Sequence, residues 1–198
     1  MDVNKADIKL VIGLGNPGKD YEKTYHNVGF LFVDSETKKS GSKWGKAKTF
    51  EYCKINGKTF TKTSVFMNES GKAVAEATKY FRLKPKQILV VHDDADIKLG
   101  KYKLQFDRSS AGHKGVESII HTLKTQKFWR LRIGIGNTKM GLLAKLRGRT
   151  LRQGFGGELS RTAQSKIKAG DLVLKKISAE DLKKLNNLFE KTLLEIFH

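Results

Sequence analysis

Cysteine, long hydrophobic runs and acidic residues are scarce in this chain of 198 residues. Cys53 is the single cysteine, so the chain can form neither an intramolecular disulfide nor a cysteine-rich zinc site. The strongly apolar stretches, such as residues 88–91, are far shorter than the ~20 residues that span a bilayer. The first residues, MDVNKADIK, lack the apolar core of a signal peptide. We therefore expect a protein of the reducing cytoplasm that does not insert into a membrane.

The shortage of acidic residues leaves a strong positive charge. The 39 lysines and arginines stand against 20 aspartates and glutamates, a formal net charge of +19. With 38% hydrophobic residues, the chain is too apolar for a disordered polybasic tail. A folded domain of this charge favours polyanions, above all nucleic acid, or an anionic membrane surface; a merely solvated basic surface is the alternative. We predict a single domain, residues 1–198, in which residues 138–170 form a basic loop or an insertion.

Strand-like and helix-like patterns alternate along the chain. Asn56-Gly57 predicts a tight hairpin turn, because both turn residues adopt positive φ. Apolar or alternating runs predict strands at 8–14, 51–55, 58–63, 88–91, 101–106 and 129–135. Helical spacing of apolar residues predicts helices at 70–81, 116–123 and 178–196. This order predicts an α/β fold: a single domain with a central mixed, mostly parallel sheet flanked by helices and ending in an amphipathic helix.

A glycine-rich loop, GLGNPG at residues 13–18, follows the first predicted strand and matches a dinucleotide-binding pattern. Asp34 lies where a ribose-binding acid would, which makes a nicotinamide-dependent oxidoreductase an alternative function. However, Pro17 has no N–H for a pyrophosphate, and the polar residues 19–27 offer no apolar face to a crossover helix. We interpret the loop instead as a holder for Asn16 at a strand end, where ligands bind in open α/β sheets; an Asx turn is the structural alternative.

Polar side chains recur at the ends of predicted strands and the starts of predicted helices. They are Asn16, His26, Asn27, Asn68, Asp93 and His113. Histidine is the usual general base at neutral pH, a carboxylate can fix its tautomer, and asparagine amides can hold water and polarise a carbonyl. Together they suit a hydrolase that activates water. Singly, each also has a structural role as a loop, cap or turn residue.

Two other kinds of chemistry find less support. No serine or cysteine lies in a nucleophile-elbow pattern, so a covalent acyl-enzyme is not indicated. A metal site is the weaker interpretation because the spacing of its candidate ligands matches no strong signature. These candidate ligands are His92, Asp93, Asp94, Asp96 and His113. We expect neither a metal nor a cofactor.

Several motifs follow one another at fixed spacing along nearly the whole chain outside 138–170. They are IGLGNPGKDYEKTYHNVGF (12–30), FMNESGKAV (66–74), VVHDDADIKLGKYKL (90–104), AGHKGVESI (111–119), RLRIGIGN (130–137) and DLVLKKIS (171–178). Together they resemble the bacterial-type peptidyl-tRNA hydrolases. The resemblance implies a monomeric, cytoplasmic α/β enzyme that cleaves the ester between a peptide and the 3′ end of tRNA without a metal. A non-catalytic RNA-binding protein of the same fold is the alternative.

The resemblance also assigns roles to individual residues. His26 matches the catalytic base and Asp93 the carboxylate that orients it. Asn16 and Asn68 match the amides that position substrate and water. The remaining residues expected at the same crevice are Tyr21, Phe66, Met67, His113 and Lys114.

Basic side chains outside the crevice are candidates for contacts with tRNA phosphates. Such contacts are independent of sequence and weaken with salt, as an enzyme that accepts many tRNAs requires. A solvated surface is the alternative for each of them. The candidates are Lys101, Lys103, Arg108, Lys114, Arg130 and Arg132.

The chain departs from the family pattern at three positions near the predicted site. Lys114 stands where the family usually has asparagine, Ala111 where it usually has glycine, and Tyr25 where arginine commonly precedes the histidine. A lysine close to His26 would lower the pKa of that histidine by like-charge repulsion.

Overall fold

The computed structural model describes residues 4–136 and 173–197. Its strands form a seven-stranded sheet. They are β1 (Leu10–Gly13), β2 (Gly45–Lys46), β3 (Phe50–Ile55), β4 (Lys58–Thr63), β5 (Ile88–Lys98), β6 (Tyr102–Phe106) and β7 (Trp129–Gly136). The order across the sheet is β2-β3-β4-β1-β5-β7-β6. The basic segment predicted at 138–170 lies outside the described residues.

The sheet is mixed, with its parallel pairings in the centre. Strand β1 runs parallel to both β4 and β5, and β5 runs parallel to β7. The pairings of β2 with β3, β3 with β4 and β6 with β7 are antiparallel. The α-helices of the described residues are α1 (Val28–Ser40), α2 (Ser70–Tyr80), α3 (Lys114–Leu123) and α4 (Ala179–Phe197). The predicted α/β class, the hairpin at Asn56-Gly57 and the C-terminal helix are confirmed.

Apolar side chains cover both faces of the sheet. Val11 belongs to the core cluster beneath α1 and α4, whereas Leu10 and Ile12 belong to the cluster beneath α2 and α3. Because successive strand residues point to opposite faces, a strand buried on both sides has a continuous apolar sequence. In the described part of the chain, no helix is both long and apolar enough to cross a membrane.

Helix α1 was absent from the sequence prediction. Its first turns bury Val28, Phe32 and Val33, but its apolar residues form no clear amphipathic stripe. Contact with β1 stabilises it instead, through a close approach at two glycines. A Cβ on Gly13 would lie 2.3 Å from the carbonyl oxygen of Gly29, so neither backbone has room for a side chain between them.

Strand β5 is longer than the predicted 88–91. Its pairing with β1 ends at Gly13 opposite Val91, whereas its pairing with β7 continues through Asp94. Asp93 therefore lies within a strand, not after one as predicted. Because β1 has already ended, this part of β5 forms the wall of a crevice at the carboxyl end of the central strands.

Candidate active site

An open cavity of about 600 Å³ lies at this edge of the sheet. It brings together the residues to which the sequence assigned catalytic and substrate-binding roles. These are Asn16, Tyr21, His26, Phe66, Met67, Asn68, Asp93, His113 and Lys114. Among the further lining residues, Val173 and Leu174 come from the distant segment that precedes α4, and neither was predicted to line the site. Their sequence signal is the motif DLVLKKIS (171–178), in which they form an apolar pair.

Asp93 is the centre of a buried hydrogen-bond network. Its Oδ1 lies 2.8 Å from Nδ1 of His26 and 3.0 Å from Nε2 of His113. Burial by itself raises the pKa of the Asp93 carboxyl, but the charges of His113 and His26 and their hydrogen bonds more than offset this. The pKa therefore lies well below its usual range, and Asp93 is ionised. Because a carboxylate only accepts hydrogen bonds, both facing ring nitrogens carry a proton.

The tautomer of His113 is set by the helix that it precedes. His113 is the N-cap of α3, and the backbone N–H of Val116 donates to its Nδ1 at 3.3 Å. Nδ1 therefore carries a lone pair and Nε2 carries the proton that is donated to Asp93. His113 thus donates to Asp93 through Nε2.

His26 has the opposite tautomer, with its proton on Nδ1. His26 lies near the end of residues 19–27, here called the His26 loop, in the 3₁₀ turn Tyr25–Asn27. Donation from Nδ1 to Asp93 leaves the lone pair on Nε2, which has no hydrogen-bond partner among the described residues. The side chain is 13% exposed, whereas that of Asp93 is 3% exposed. A neutral imidazole with one free nitrogen in a cavity can take a proton from water.

Asn16 is held rigidly with one amide group free. Its Oδ1 accepts the backbone N–H of Met67 at 2.7 Å, so its Nδ2 is left as a donor without a partner in the described residues. Asn27 holds the backbone of Asn16, accepting its N–H at 2.8 Å and donating to its carbonyl at 2.9 Å. An Asx turn is therefore not the role of Asn16. Asn27 supports Asn16, a function that the sequence did not reveal.

The other predicted crevice residues are more exposed. Asn68 lies in the 3₁₀ turn Met67–Glu69, and its side chain does not cap α2. Tyr21 and Phe66 meet edge to face with their ring centroids 6.1 Å apart, and Phe66 is 50% exposed. These rings give the cavity an aromatic part beside its polar network.

His92 is buried behind the network. Its ring contacts that of His113 at a centroid distance of 4.5 Å, and its Nδ1 lies 2.8 Å from the carbonyl oxygen of Asp93. Burial and the charges of His113 and Arg130 hold the pKa of His92 well below its usual range, despite the opposing effect of Asp93. His92 is therefore neutral and donates to the carbonyl of Asp93. From the sequence, His92 was considered only as a ligand in the alternative metal site, and its hydrogen bond to the Asp93 backbone was not predicted.

Three groups could in principle hold a metal ion. Ligand atoms of His26, Asp93 and His113 all lie within 4.8 Å of one another. However, the nitrogens that face Asp93 carry protons. A metal at Nε2 of His113 would require the other tautomer, which would break the N-cap bond from Val116. The hydrogen-bond pattern therefore fits a proton-transfer network better than a metal site.

Arg130 is the buried residue among the predicted phosphate contacts. Its exposed fraction is 1%, so in this structure its guanidinium is not part of the surface. Burial and the nearby charges of Arg132 and Arg108 lower the pKa of Arg130 to about 10. Arg132 is partly exposed and is held by Asp94 at 2.6 Å. The other candidates, Lys101, Lys103 and Arg108, are exposed.

The three departures from the family pattern have distinct surroundings. The Lys114 ammonium is exposed and lies 3.9 Å from Glu117, so its nearest charge is a carboxylate on its own helix. Ala111 has a φ of +50°, a left-handed conformation that glycine adopts more readily. The hydroxyl of Tyr25 donates to Oδ2 of Asp181 at 2.6 Å, which anchors the His26 loop to α4.

The dinucleotide alternative does not fit the loop geometry. The glycine-rich loop leads into the single 3₁₀ turn Lys19–Tyr21, and the first α-helix begins only at Val28, ten residues after Gly18. The loop therefore does not lead directly into the N-terminus of an α-helix. Asp34 is paired with Lys62 at 2.8 Å. Neither group is placed to bind a dinucleotide.

Comparison with known proteins identifies the family. A sequence model described as peptidyl-tRNA hydrolase matches residues 10–192. The chain belongs to the peptidyl-tRNA hydrolase family. The peptidyl-tRNA hydrolase of Aquifex aeolicus is 49% identical over 138 residues, which cover 67% of this chain and 72% of that protein. That of Lactobacillus johnsonii is 44% identical over 134 residues, covering 65% and 72%.

A solved member of the peptidyl-tRNA hydrolase family has the same fold. The crystal structure of the enzyme from Acinetobacter baumannii matches with a TM-score of 0.76 at 26% identity, covering 96% of this chain and 87% of that one. The family membership predicted from the motifs is thereby confirmed.

Proposed function

We propose that this protein hydrolyses the ester between peptide and tRNA in peptidyl-tRNA, which recycles tRNA released from stalled translation. His26 is the general base and Asp93 orients it. The observation that carries this proposal is the pair of hydrogen bonds to Oδ1 of Asp93, from Nδ1 of His26 at 2.8 Å and from Nε2 of His113 at 3.0 Å. They leave Nε2 of His26 free to accept a proton in an open cavity.

The reaction proceeds by addition of water and loss of the tRNA alcohol. Nε2 of His26 takes a proton from water while the water oxygen attacks the ester carbonyl carbon. The tetrahedral intermediate then collapses, the bond between the carbonyl carbon and the ribose oxygen breaks, and the proton moves from His26 to that oxygen. The products are a peptide carboxylic acid and tRNA with a free 3′-terminal ribose hydroxyl. Asp93 stabilises the transient imidazolium.

Amide groups stabilise the negative charge that develops on the carbonyl oxygen. Nδ2 of Asn16 has no partner among the described residues and is a fixed donor, because Met67 holds the other end of the amide. Asn68 is a second, more exposed donor in the same cavity. A general base contributes about 10²–10⁴-fold to the rate and one oxyanion donor about 10²–10³-fold. Loss of His26 should therefore outweigh loss of any one surface lysine.

Basic side chains beside the cavity bind the phosphates of tRNA. Lys103 and Arg108 are exposed, and Arg132 is held by Asp94 and by Gln105 at 2.7 Å from Oε1. A guanidinium that is fixed in this way loses little conformational freedom when it binds a phosphate. A monomeric state and a location in the cytoplasm are further predictions.

Hydrolysis of N-acetyl-aminoacyl-tRNA by the purified protein tests this function, with and without EDTA and beside His26→Ala. Cleavage that survives EDTA and is lost in the variant is the expected result. Cleavage that EDTA abolishes would instead indicate a metal among His26, Asp93 and His113. Salt-sensitive tRNA binding without cleavage would favour a non-catalytic RNA-binding protein.

A further inference from the structure

Residues 173–178, here called the flanking segment, lie along the His26 loop. The backbone N–H of Tyr25 donates to the carbonyl of Lys175 at 3.2 Å, and that of Ile177 donates to the carbonyl of Lys23 at 2.8 Å. These two bonds form an antiparallel bridge between segments that are about 150 residues apart in the sequence. The loop before His26 is therefore joined to the other end of the chain.

The side chain of Lys176 adds a second link. Its ammonium lies 2.7 Å from the carbonyl oxygens of both Asp20 and Glu22, and 3.5 Å from that of Lys19. An ammonium has three donors and no acceptor, so a cluster of three carbonyls matches it. Lys176 thus links the backbone carbonyls of the first turn of the His26 loop.

The flanking segment is itself anchored on the side away from the loop. Ile177 is buried in the core cluster beneath α1 and α4. In the first turn of α4, Asp181 accepts the hydrogen bond from the Tyr25 hydroxyl. Burial and Asp181 raise the pKa of Tyr25 above its usual range, so the hydroxyl remains a donor. The loop is therefore attached, through this segment, to the rigid core of the protein.

The same segment also forms part of the cavity. Leu174, which is 52% exposed, and Val173 line it together with Tyr21 of the His26 loop. A shift of the segment would move both a wall of the cavity and the backbone that leads to His26. Such a shift matters because misplacement of a catalytic group by about 1 Å can cost 10²-fold in rate.

We propose that Lys176 is a positioning residue for hydrolysis. It holds the carbonyls of the His26 loop so that His26 keeps its hydrogen bond to Asp93 and its place in the cavity. This inference rests on the proposed function. It assigns no contact with substrate to Lys176, and it predicts an effect on kcat, not on KM.

The test compares Lys176→Met with Lys176→Arg and with the matched control Lys175→Met. The Lys175 side chain is exposed and has no hydrogen-bond partner among the described residues, although its backbone carbonyl is used. Both methionine variants lose one positive charge, so any weaker attraction to tRNA is common to them. We expect kcat to fall about 10- to 100-fold in Lys176→Met, with KM changed less than about threefold relative to the control. Lys176→Arg, which can still donate to the carbonyls, should retain most of the activity.

A second measurement does not depend on activity. In the parent, the Nδ1–H of His26 should give a slowly exchanging downfield proton resonance in NMR spectra, assigned by its loss in His26→Ala. We expect Lys176→Met to accelerate its exchange and Lys175→Met to leave it unchanged. A parent without activity would contradict the proposed function, and this resonance would still decide the role of Lys176.

Equal kcat values in the two methionine variants, together with an unchanged resonance, would overturn the inference. An equal loss of activity in Lys176→Arg would do so as well, because the carbonyls would still have a donor. If Lys176→Met does not fold, Lys176→Gln and Lys175→Gln replace the pair. The glutamine amide supplies fewer donors than the ammonium, so an intermediate loss of kcat confined to Lys176→Gln supports the proposal, and equal values overturn it.

Discussion

Asp93 is the residue on which the proposed chemistry depends most, because one of its oxygens holds two histidines with different tautomers. We expect Asp93→Asn to lower kcat by about 10³–10⁴-fold, since an amide can fix the wrong tautomer of His26 and does not stabilise the imidazolium. Single-turnover hydrolysis of N-acetyl-aminoacyl-tRNA measures this. A loss smaller than tenfold in a folded variant would contradict the role of Asp93.

The same residue should affect stability in a pH-dependent way. The pKa of Asp93 is lowered on folding, so its ionisation contributes stability above the pKa of the unfolded state. That contribution is lost as the pH falls from about 4 toward the lower pKa of the folded state. The difference in unfolding free energy between the parent and Asp93→Asn, measured with urea, should therefore decrease from pH 6 to pH 3. A constant difference would show that Asp93 is not the titrating group.

His113 offers a way to separate helix capping from catalysis. Asparagine is also a good N-cap, so His113→Asn should preserve the start of α3 but lose the donor to Asp93. A hydrogen bond to a charged group is worth about 1.5–3 kcal/mol, and we expect kcat to fall about 10- to 100-fold. The Tm should change little. A large drop in Tm with kcat per folded molecule unchanged would assign His113 a purely structural role.

At the scale of elements, the loop before α3 contains a strained residue. Ala111 has a φ of +50°, and a non-glycine residue in this region costs about 1–2 kcal/mol. Glycine removes this strain. Its greater conformational entropy in the unfolded state, however, lowers the free energy of unfolding by about 0.4–1 kcal/mol. Ala111→Gly should therefore raise the free energy of unfolding by between about 0 and 1.6 kcal/mol, measured by urea denaturation. A loss of stability would mean that the Ala111 methyl group makes a compensating contact.

The elements also differ in how well sequence predicted them. The hairpin of β3 and β4 has a local signal in its turn, and α2 and α3 have amphipathic patterns, so all of them were predicted. Helix α1 depends on contact with β1 through Gly13 and Gly29, which no local pattern reveals. The extension of β5 likewise depends on its neighbour β7. These elements are stabilised by partners that are distant in sequence.

At the scale of the whole molecule, the charge of +19 should control affinity for tRNA through salt. Each phosphate contact contributes about 0.9 to the slope of log K against log salt concentration. Arg108→Met should therefore raise KM and reduce this slope by about one, measured between 50 and 300 mM potassium chloride.

Arg130→Met is the matched control for the salt experiment. It removes the same charge from a neighbouring position, but Arg130 is buried and cannot reach a phosphate. Its slope should equal that of the parent, provided that the variant folds, which circular dichroism checks. Equal slopes for the parent, Arg108→Met and Arg130→Met would show that Arg108 makes no contact with a tRNA phosphate.

The sequence by itself determined the family, the α/β class and the residue types of the candidate site. It could do so because motifs, turn signals and hydrophobic periods are local properties of the chain. Only the tertiary structure decided that His26 and His113 share one oxygen of Asp93, and that Arg130 is buried. It alone brought residues 173–178 against the His26 loop. Hydrogen-bond partners, burial and tautomers depend on groups that meet only after folding, because each is set by neighbours from elsewhere in the chain.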